Sequence, residues 1–271
     1  MSAPDDPPQP ARALHRTAYA LVAVLFLLAG FAVLTENVVQ HTGLTGHDAA
    51  VLRFFTEHRS RLIVDIARLV TDLGGTVVLA IAAIVTGWIL WRTTRRLVVA
   101  IAPALVVVLA SAASTVTKQV VGRARPPAHL HLVNVTDAAF PSGHATEGMA
   151  VYLAIAILLD AFVVRTRLVR TLVLAGALVL AVAIGLRRLV LGVHWPTDVL
   201  AGWTLGAAIA ILVSLGAMRT GGSARWAIGP RPPTTRSRVT RPRTRPTNRG
   251  ARLARRSPRG ASCGRATRWA G

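Results

Sequence analysis

Lys118, the one lysine of the chain, opens its most informative stretch. From it run Lys118-Gln-Val-Val-Gly-Arg123-Ala-Arg125-Pro126, then Pro141-Ser142-Gly143-His144, then Arg188, five residues, His194, three residues and Asp198. These charged and titratable groups stand at the edges of strongly apolar segments, where charge is expensive and needs a reason. Lys118, Arg125 and Arg188 suit a multiply charged anion. Arginine offers a planar fork to two phosphate oxygens, and lysine a point charge. Any one of them alone reads more simply as a long side chain reaching from a helix end to lipid headgroups. Ser142 is suited to cap a helix, and Gly143 lets a ligand approach the backbone. The helix N-terminus they announce is a ready anion site. A plain loop-to-helix cap explains Pro141, Ser142 and Gly143 but not His144.

His194 and Asp198 are four apart at the start of an apolar run. On a helix they share a face, so the carboxylate can hold the imidazole. Pro196 between them is tolerated in a first helical turn. Such an imidazole keeps one tautomer and leaves its other nitrogen free to attack or to take a proton. His144 supplies a complementary general acid. Viewed alone, the His194–Asp198 pair reads equally as a capping aspartate beside an interfacial histidine. Taken together, the groups describe a site that holds a phosphate and attacks it.

The elements that must position these groups are membrane spans. The chain has 271 residues, 52% of them hydrophobic and 16% charged. The charged residues cluster between long apolar runs, which excludes an ordinary soluble domain. Spans of about twenty apolar residues are predicted at Thr17–Thr35, Gly74–Trp91, Leu97–Thr117, Ala145–Val164, Leu168–Leu186 and Val199–Met218. The fold class is therefore all-α, an integral-membrane six-helix bundle occupying residues 17–218. Within the segment 36–73, the apolar spacing of Leu62, Ile63, Ile66, Leu69, Val70 and Leu73 predicts an amphipathic helix near 61–73. It should lie on the membrane surface and break at Gly74-Gly75. Cys263 is the single cysteine, which excludes an intrachain disulfide framework and a thiolate metal site.

The net charge of +21 resembles a nucleic-acid signal, but fifteen arginines and no acidic residue fall in 219–271. That Arg/Pro-rich tail is expected to be disordered and to contact anionic lipids. No aromatic interleaving supports nucleic-acid binding. Arginine clusters also set direction. Arg12 and Arg16, Arg92 to Arg96, Arg165 to Arg170, and Arg219 onward share one face if the spans alternate. That face is cytoplasmic, as are residues 1–16 and both termini, in a multi-pass protein of the plasma membrane. Lys118, Arg123, Arg125, Arg187 and Arg188 fall on the opposite face, against the rule. The three motif pieces sit at the ends of spans three to six and are expected to meet in one pocket there.

The three parts, in this order and spacing, resemble the type 2 phosphatidic acid phosphatase family, the lipid phosphate phosphatases. The motifs cover residues 118–198 and the span layout extends the likeness over roughly 15–218. The resemblance implies a core like that of the acid phosphatase and vanadium haloperoxidase superfamily, acting on a lipid monophosphate or diphosphate without metal or cofactor. It implies His194 as the nucleophile of a phosphohistidine intermediate, Asp198 as its orienting carboxylate, and His144 as acid and then base. It implies Lys118, Arg125, Ser142, Gly143 and Arg188 as phosphate ligands. Arg187 departs from the family pattern, which has serine there. Either it joins the phosphate site or it points to headgroups while Arg188 binds, and the second is expected. His129 and His131 read as solvated loop residues rather than metal ligands. Glu147 reads equally as a group tuning His144 or as a helix-face residue. Trp195 and Trp203 are expected at the interface or between helices. A haloperoxidase-like enzyme and a non-catalytic lipid-binding or transport protein are the alternatives; the small six-span chain argues against the first, the intact His144, His194 and Asp198 set against the second.

Overall fold

The computed structural model describes residues 9–221. Among them are eight α-helices, two short 3-10 turns and no strand. The order is α1 (Gln9–Gln40), a 3-10 turn (Gly43–His47), α2 (Asp48–Glu57), α3 (Arg61–Leu73), α4 (Thr76–Thr94), α5 (Leu97–Val121), a 3-10 turn (Ala128–Leu130), α6 (Gly143–Phe162), α7 (Arg167–Val190) and α8 (Pro196–Gly221). Six of these, α1 and α4 to α8, are long and apolar enough to cross a membrane. Residues 1–8 of the polar start and residues 222–271 of the arginine tail lie outside the described residues.

The outside of the bundle is apolar. Phe26 on α1, Val77 and Ile84 on α4, Val108 and Val116 on α5, and Leu172 and Val179 on α7 are all exposed. A water-soluble surface does not carry so continuous an apolar exterior, so the chain is a multi-pass membrane protein. At the centre, α6 and α8 each bury 56% of their most apolar stretch, against 11% in α1. Their contact is built from small residues, among them Ala145, Ala150, Ala154, Gly202, Gly206 and Ala210. Small residues let helix backbones approach closely where lipid supplies no hydrophobic drive between helices. At Gly206 the approach is so close that a Cβ would stand 2.4 Å from the Thr146 carbonyl oxygen.

The helices outrun the predicted spans, and this moves several site residues into regular structure. Helix α5 continues one turn past Thr117, until Gly122 adopts φ +60° and ends it. Lys118 therefore sits in a last helical turn. Helix α7 runs to Val190, so Arg187 and Arg188 also belong to a final turn rather than to a surface loop. The amphipathic helix appears as α3, with Leu62, Ile63 and Ile66 exposed. Helix α2 has no counterpart in the sequence reading. It is ten residues long and buries one large apolar side chain, Leu52, against Ala145, Leu189 and Val199. One anchor in so short a run leaves no periodicity to see.

Candidate active site

Four helix ends converge: the C-terminal turns of α5 and α7 and the N-terminal turns of α6 and α8. They enclose a cavity of about 240 Å³ lined by Lys118, Arg125, Gly143, His144, Arg188 and His194. The three motif pieces thus meet, as the alternation of spans requires. The segment between α5 and α6 is stapled over the cavity by backbone bonds, Ala139 N–H to the Arg123 carbonyl at 2.9 Å and Leu132 N–H to the Leu191 carbonyl at 3.0 Å. Ser142 N–H donates to the Asp198 carbonyl at 3.0 Å, tying the start of α6 to the start of α8.

His194 and Asp198 do pair, but not as neighbours on one helix face. His194 lies in the turn before α8, which begins at Pro196. Asp198, in the first turn, reaches back. Its Oδ2 accepts the Trp195 backbone N–H at 2.9 Å and stands 3.3 Å from His194 Nδ1. On the far side of the ring, Arg125 Nη1 approaches Nε2 at 3.1 Å. A guanidinium can only donate. Nε2 is therefore the acceptor, its lone pair taken by the Arg125 N–H, and Nδ1 carries the proton toward Asp198. His194 is 1% exposed. Burial, then the charges of Arg188, Arg125 and Lys118, hold its pKa well below the ordinary imidazole value. The ring is neutral and aimed.

Asp198 is fully buried and is held by a group outside the predicted set. Arg123 Nη1 donates to Asp198 Oδ1 at 2.5 Å and to Thr197 Oγ1 at 2.7 Å, while Arg123 Nη2 donates to Asp48 Oδ2 at 2.6 Å. Asp48 comes from α2. Sequence reading had placed Arg123 on this face without a task and had given Asp48 none.

The three cations differ in what holds them. Asp137 bridges two: its carboxylate accepts from Lys118 Nζ and, at 2.7 Å, from Arg125 Nη2. Burial raises the Asp137 pKa, but hydrogen bonds from Lys118 and Arg125 and their charges outweigh it and hold the carboxyl below the usual range. Asp137 is the one carboxylate between Lys118 and His144, and that isolation amid basic residues is the signal that could have found it. The third cation, Arg188, is 4% exposed, and its guanidinium makes no hydrogen bond or ion pair among the described residues. A buried charge without a counter-charge is costly.

The remaining predicted residues divide. Gly143 lines the cavity, and a Cβ there would point toward Ser114 Oγ and Lys118 Cε. Ser142 occupies the N-cap position of α6 but makes no side-chain cap bond; its hydroxyl is buried without a partner. Arg187 contradicts the expectation of a headgroup contact. It is 3% exposed and its Nη2 lies 3.0 Å from where a Gly74 Cβ would stand, because the last turn of α7 is packed inside the bundle. Glu147 faces the cavity with Thr76, Ser114 and Thr115, and Thr76 Oγ1 donates to it at 3.3 Å. His131 bonds the Pro126 carbonyl at 2.9 Å. Trp195 donates to the Ala124 carbonyl, and Trp203 packs between α7 and α8, donating to the Ala181 carbonyl. No group of three or more His, Cys, Asp or Glu side chains able to hold a metal occurs among the described residues.

The fold and the site together are those of an all-helical membrane bundle with a cation-lined cavity and an aspartate-held imidazole. Residues 97–220 match the family model described as the PAP2 superfamily. Phosphatidylglycerophosphatase B of Bacillus subtilis is 38% identical over 98 residues, 36% of this chain and 48% of its own. Undecaprenyl-diphosphatase of Sulfolobus acidocaldarius is 30% identical over 135 residues, 46% of this chain and 57% of its own. The chain thus spans about half the length of the curated relatives it matches. Among solved structures, the transmembrane PAP2 type phosphatidylglycerolphosphate phosphatase from Bacillus subtilis superposes with TM-score 0.67 at 26% identity, covering 72% of this chain and 96% of that one.

Proposed function

We propose that this protein is an integral-membrane phosphatase that removes the terminal phosphate of a lipid monophosphate or diphosphate. The observation that carries the reading is Arg188: a buried guanidinium without a hydrogen-bond partner among the described residues, lining the same cavity as His194, whose Nε2 is the acceptor nitrogen of the ring. A phosphoryl group supplies the missing counter-charge and places phosphorus before that nitrogen. Nε2 attacks phosphorus in line, and the bond to the leaving oxygen breaks as His144 donates a proton to it. Asp198 holds the Nδ1–H and stabilises the charge that develops on the ring. His144, now a base, takes a proton from water, which attacks the phosphohistidine and releases inorganic phosphate. Lys118, Arg125, Arg188 and the N–H groups at the start of α6 neutralise the equatorial oxygens. Arg125 and Lys118 must exchange Asp137 for substrate to do so.

The apolar exterior keeps the substrate chains in lipid while the phosphate reaches the helix ends. The arginine clusters at the opposite ends of the spans support a site on the non-cytoplasmic face. The relatives' names support phosphatidylglycerophosphate and polyprenyl diphosphate as the substrates to try first, with phosphatidic acid as a third. The test is phosphate release from each of these lipids by purified protein in detergent, with EDTA present. Release from at least one is expected. A folded protein that releases phosphate from none contradicts the proposal.

A further inference from the structure

Arg123 lies between two carboxylates, and only one of them touches the histidine. Asp48, 3% exposed at the start of α2, receives Arg123 Nη2 at 2.6 Å, Thr197 Oγ1 at 2.6 Å and the Thr197 backbone N–H at 3.0 Å. Both its oxygens thereby accept hydrogen bonds, as a buried ionic group needs. The other end of the same guanidinium holds Asp198 Oδ1. Asp198 Oδ2 is left for the Trp195 N–H and for His194. The Arg123 guanidinium also stands 5.7 Å from the centre of the Trp195 ring, which fixes its remaining face.

The charge count gives the arrangement its sense. One guanidinium against Asp198 alone would cancel the carboxylate that His194 relies on. With Asp48 as a second carboxylate, the group keeps one net negative charge beside the imidazole. We infer that Asp48 is a positioning residue for the His194–Asp198 pair: it takes one edge of Arg123, so that Arg123 anchors Asp198 without neutralising it. Asp48 also fixes Thr197, the residue before Asp198, through both its backbone and its hydroxyl. It thereby couples the segment between the first two spans to the first turn of α8. This rests on the reading of His194 as the nucleophile.

Apart from the His144 imidazole, every other charged or titratable group that faces His194 is itself a cation or is bound to one. Arg125 touches Nε2, Arg188 and Lys118 face it from α7 and α5, His144 from α6, and Asp137 is bound to Lys118 and Arg125. The Asp48–Arg123–Asp198 group is therefore the negative side of the ring's surroundings. Removing one carboxylate from it should make the imidazole less basic and a weaker nucleophile.

The experiment compares the parent with Asp48→Asn, Asp48→Glu and the double variant Asp48→Asn/Arg123→Gln. Each is measured for kcat and KM on one lipid substrate, so that the ionisation of the substrate is common to all, down to the lowest pH at which the parent stays folded, because the acid limb of a depressed imidazole lies low. Asp48→Asn is expected to lower kcat about tenfold or more with KM nearly unchanged, and to move the acid limb of the profile to lower pH. Asp48→Glu should recover part of the rate. The double variant removes a positive and a negative charge together, so its acid limb should return to the parent position. If Asp48→Asn does not fold, the double variant alone decides: a parent-like limb supports the inference and a displaced limb overturns it. A folded Asp48→Asn with parental kcat and profile overturns it, as does a loss of kcat with the profile unmoved. A parent without His194-dependent phosphate release overturns the phosphatase reading instead.

Discussion

Asp137 stands where a phosphate is expected to bind, and replacing it by asparagine should strengthen anion binding. The carboxylate holds Lys118 and Arg125 together, the latter at 2.7 Å, and its side chain is 58% exposed. Exposed ion pairs are worth about 0.2–1 kcal/mol each. Two pairs on one carboxylate therefore compete with substrate by roughly 0.4–2 kcal/mol, or about 2- to 30-fold in affinity. Asparagine keeps the shape and one acceptor but not the charge. Competitive inhibition by inorganic phosphate or vanadate is the direct assay, with KM for the lipid as its companion. Both constants should fall by about 2- to 30-fold in Asp137→Asn, with kcat changing little, and the gain should shrink in high salt. The pH dependence follows from sign. A carboxyl whose folded pKa is depressed has its pairs fully formed above its ordinary value and loses them only as pH falls through the lowered one. The competition thus persists over the working range, and the ratio of variant to parent should be flat between about pH 5 and 8. Unchanged or weaker inhibition in the variant would refute this reasoning and make Asp137 a group that orients the two cations.

Two further outcomes follow from burial. Arg188→Met should lower kcat/KM by about 10²-fold or more, because a fixed charge opposite the phosphoryl oxygens is lost. It should leave thermal stability in detergent equal or higher, because a buried guanidinium without a counter-charge is removed. Gly206→Ala should lower thermal stability by about 1–3 kcal/mol, since its Cβ meets the Thr146 carbonyl where α6 and α8 touch; an unchanged unfolding temperature would show that the two helices separate at no cost.

The spans were legible because a twenty-residue apolar run has few other uses, and their alternation alone brought Lys118, His144, Arg188 and His194 to one end of the bundle. What the sequence did not reveal falls into two kinds. Helix ends were set too short because apolar composition marks the bilayer core, whereas the helices of Lys118 and Arg188 run on until glycine or a turn stops them. That error put Arg187 on the surface when the last turn of α7 buries it. The second kind is contact between distant segments. Nothing local in Asp48 announces that α2 brings it to Arg123 and Thr197. Asp137 likewise carries no motif, although its position amid basic residues was visible. The aspartate-held histidine was recovered for a different geometric reason than helix spacing, since Asp198 reaches back across the start of α8 instead of sharing a face with His194.

The central claim is that His194 Nε2 attacks the terminal phosphorus of a lipid phosphate. Its most direct test is phosphate release by folded His194→Asn beside the parent, on the best lipid of the panel and with divalent metals chelated. A loss of at least about 10³-fold in kcat is expected, with the unfolding temperature close to that of the parent. A variant that folds and turns over at the parental rate would contradict the account.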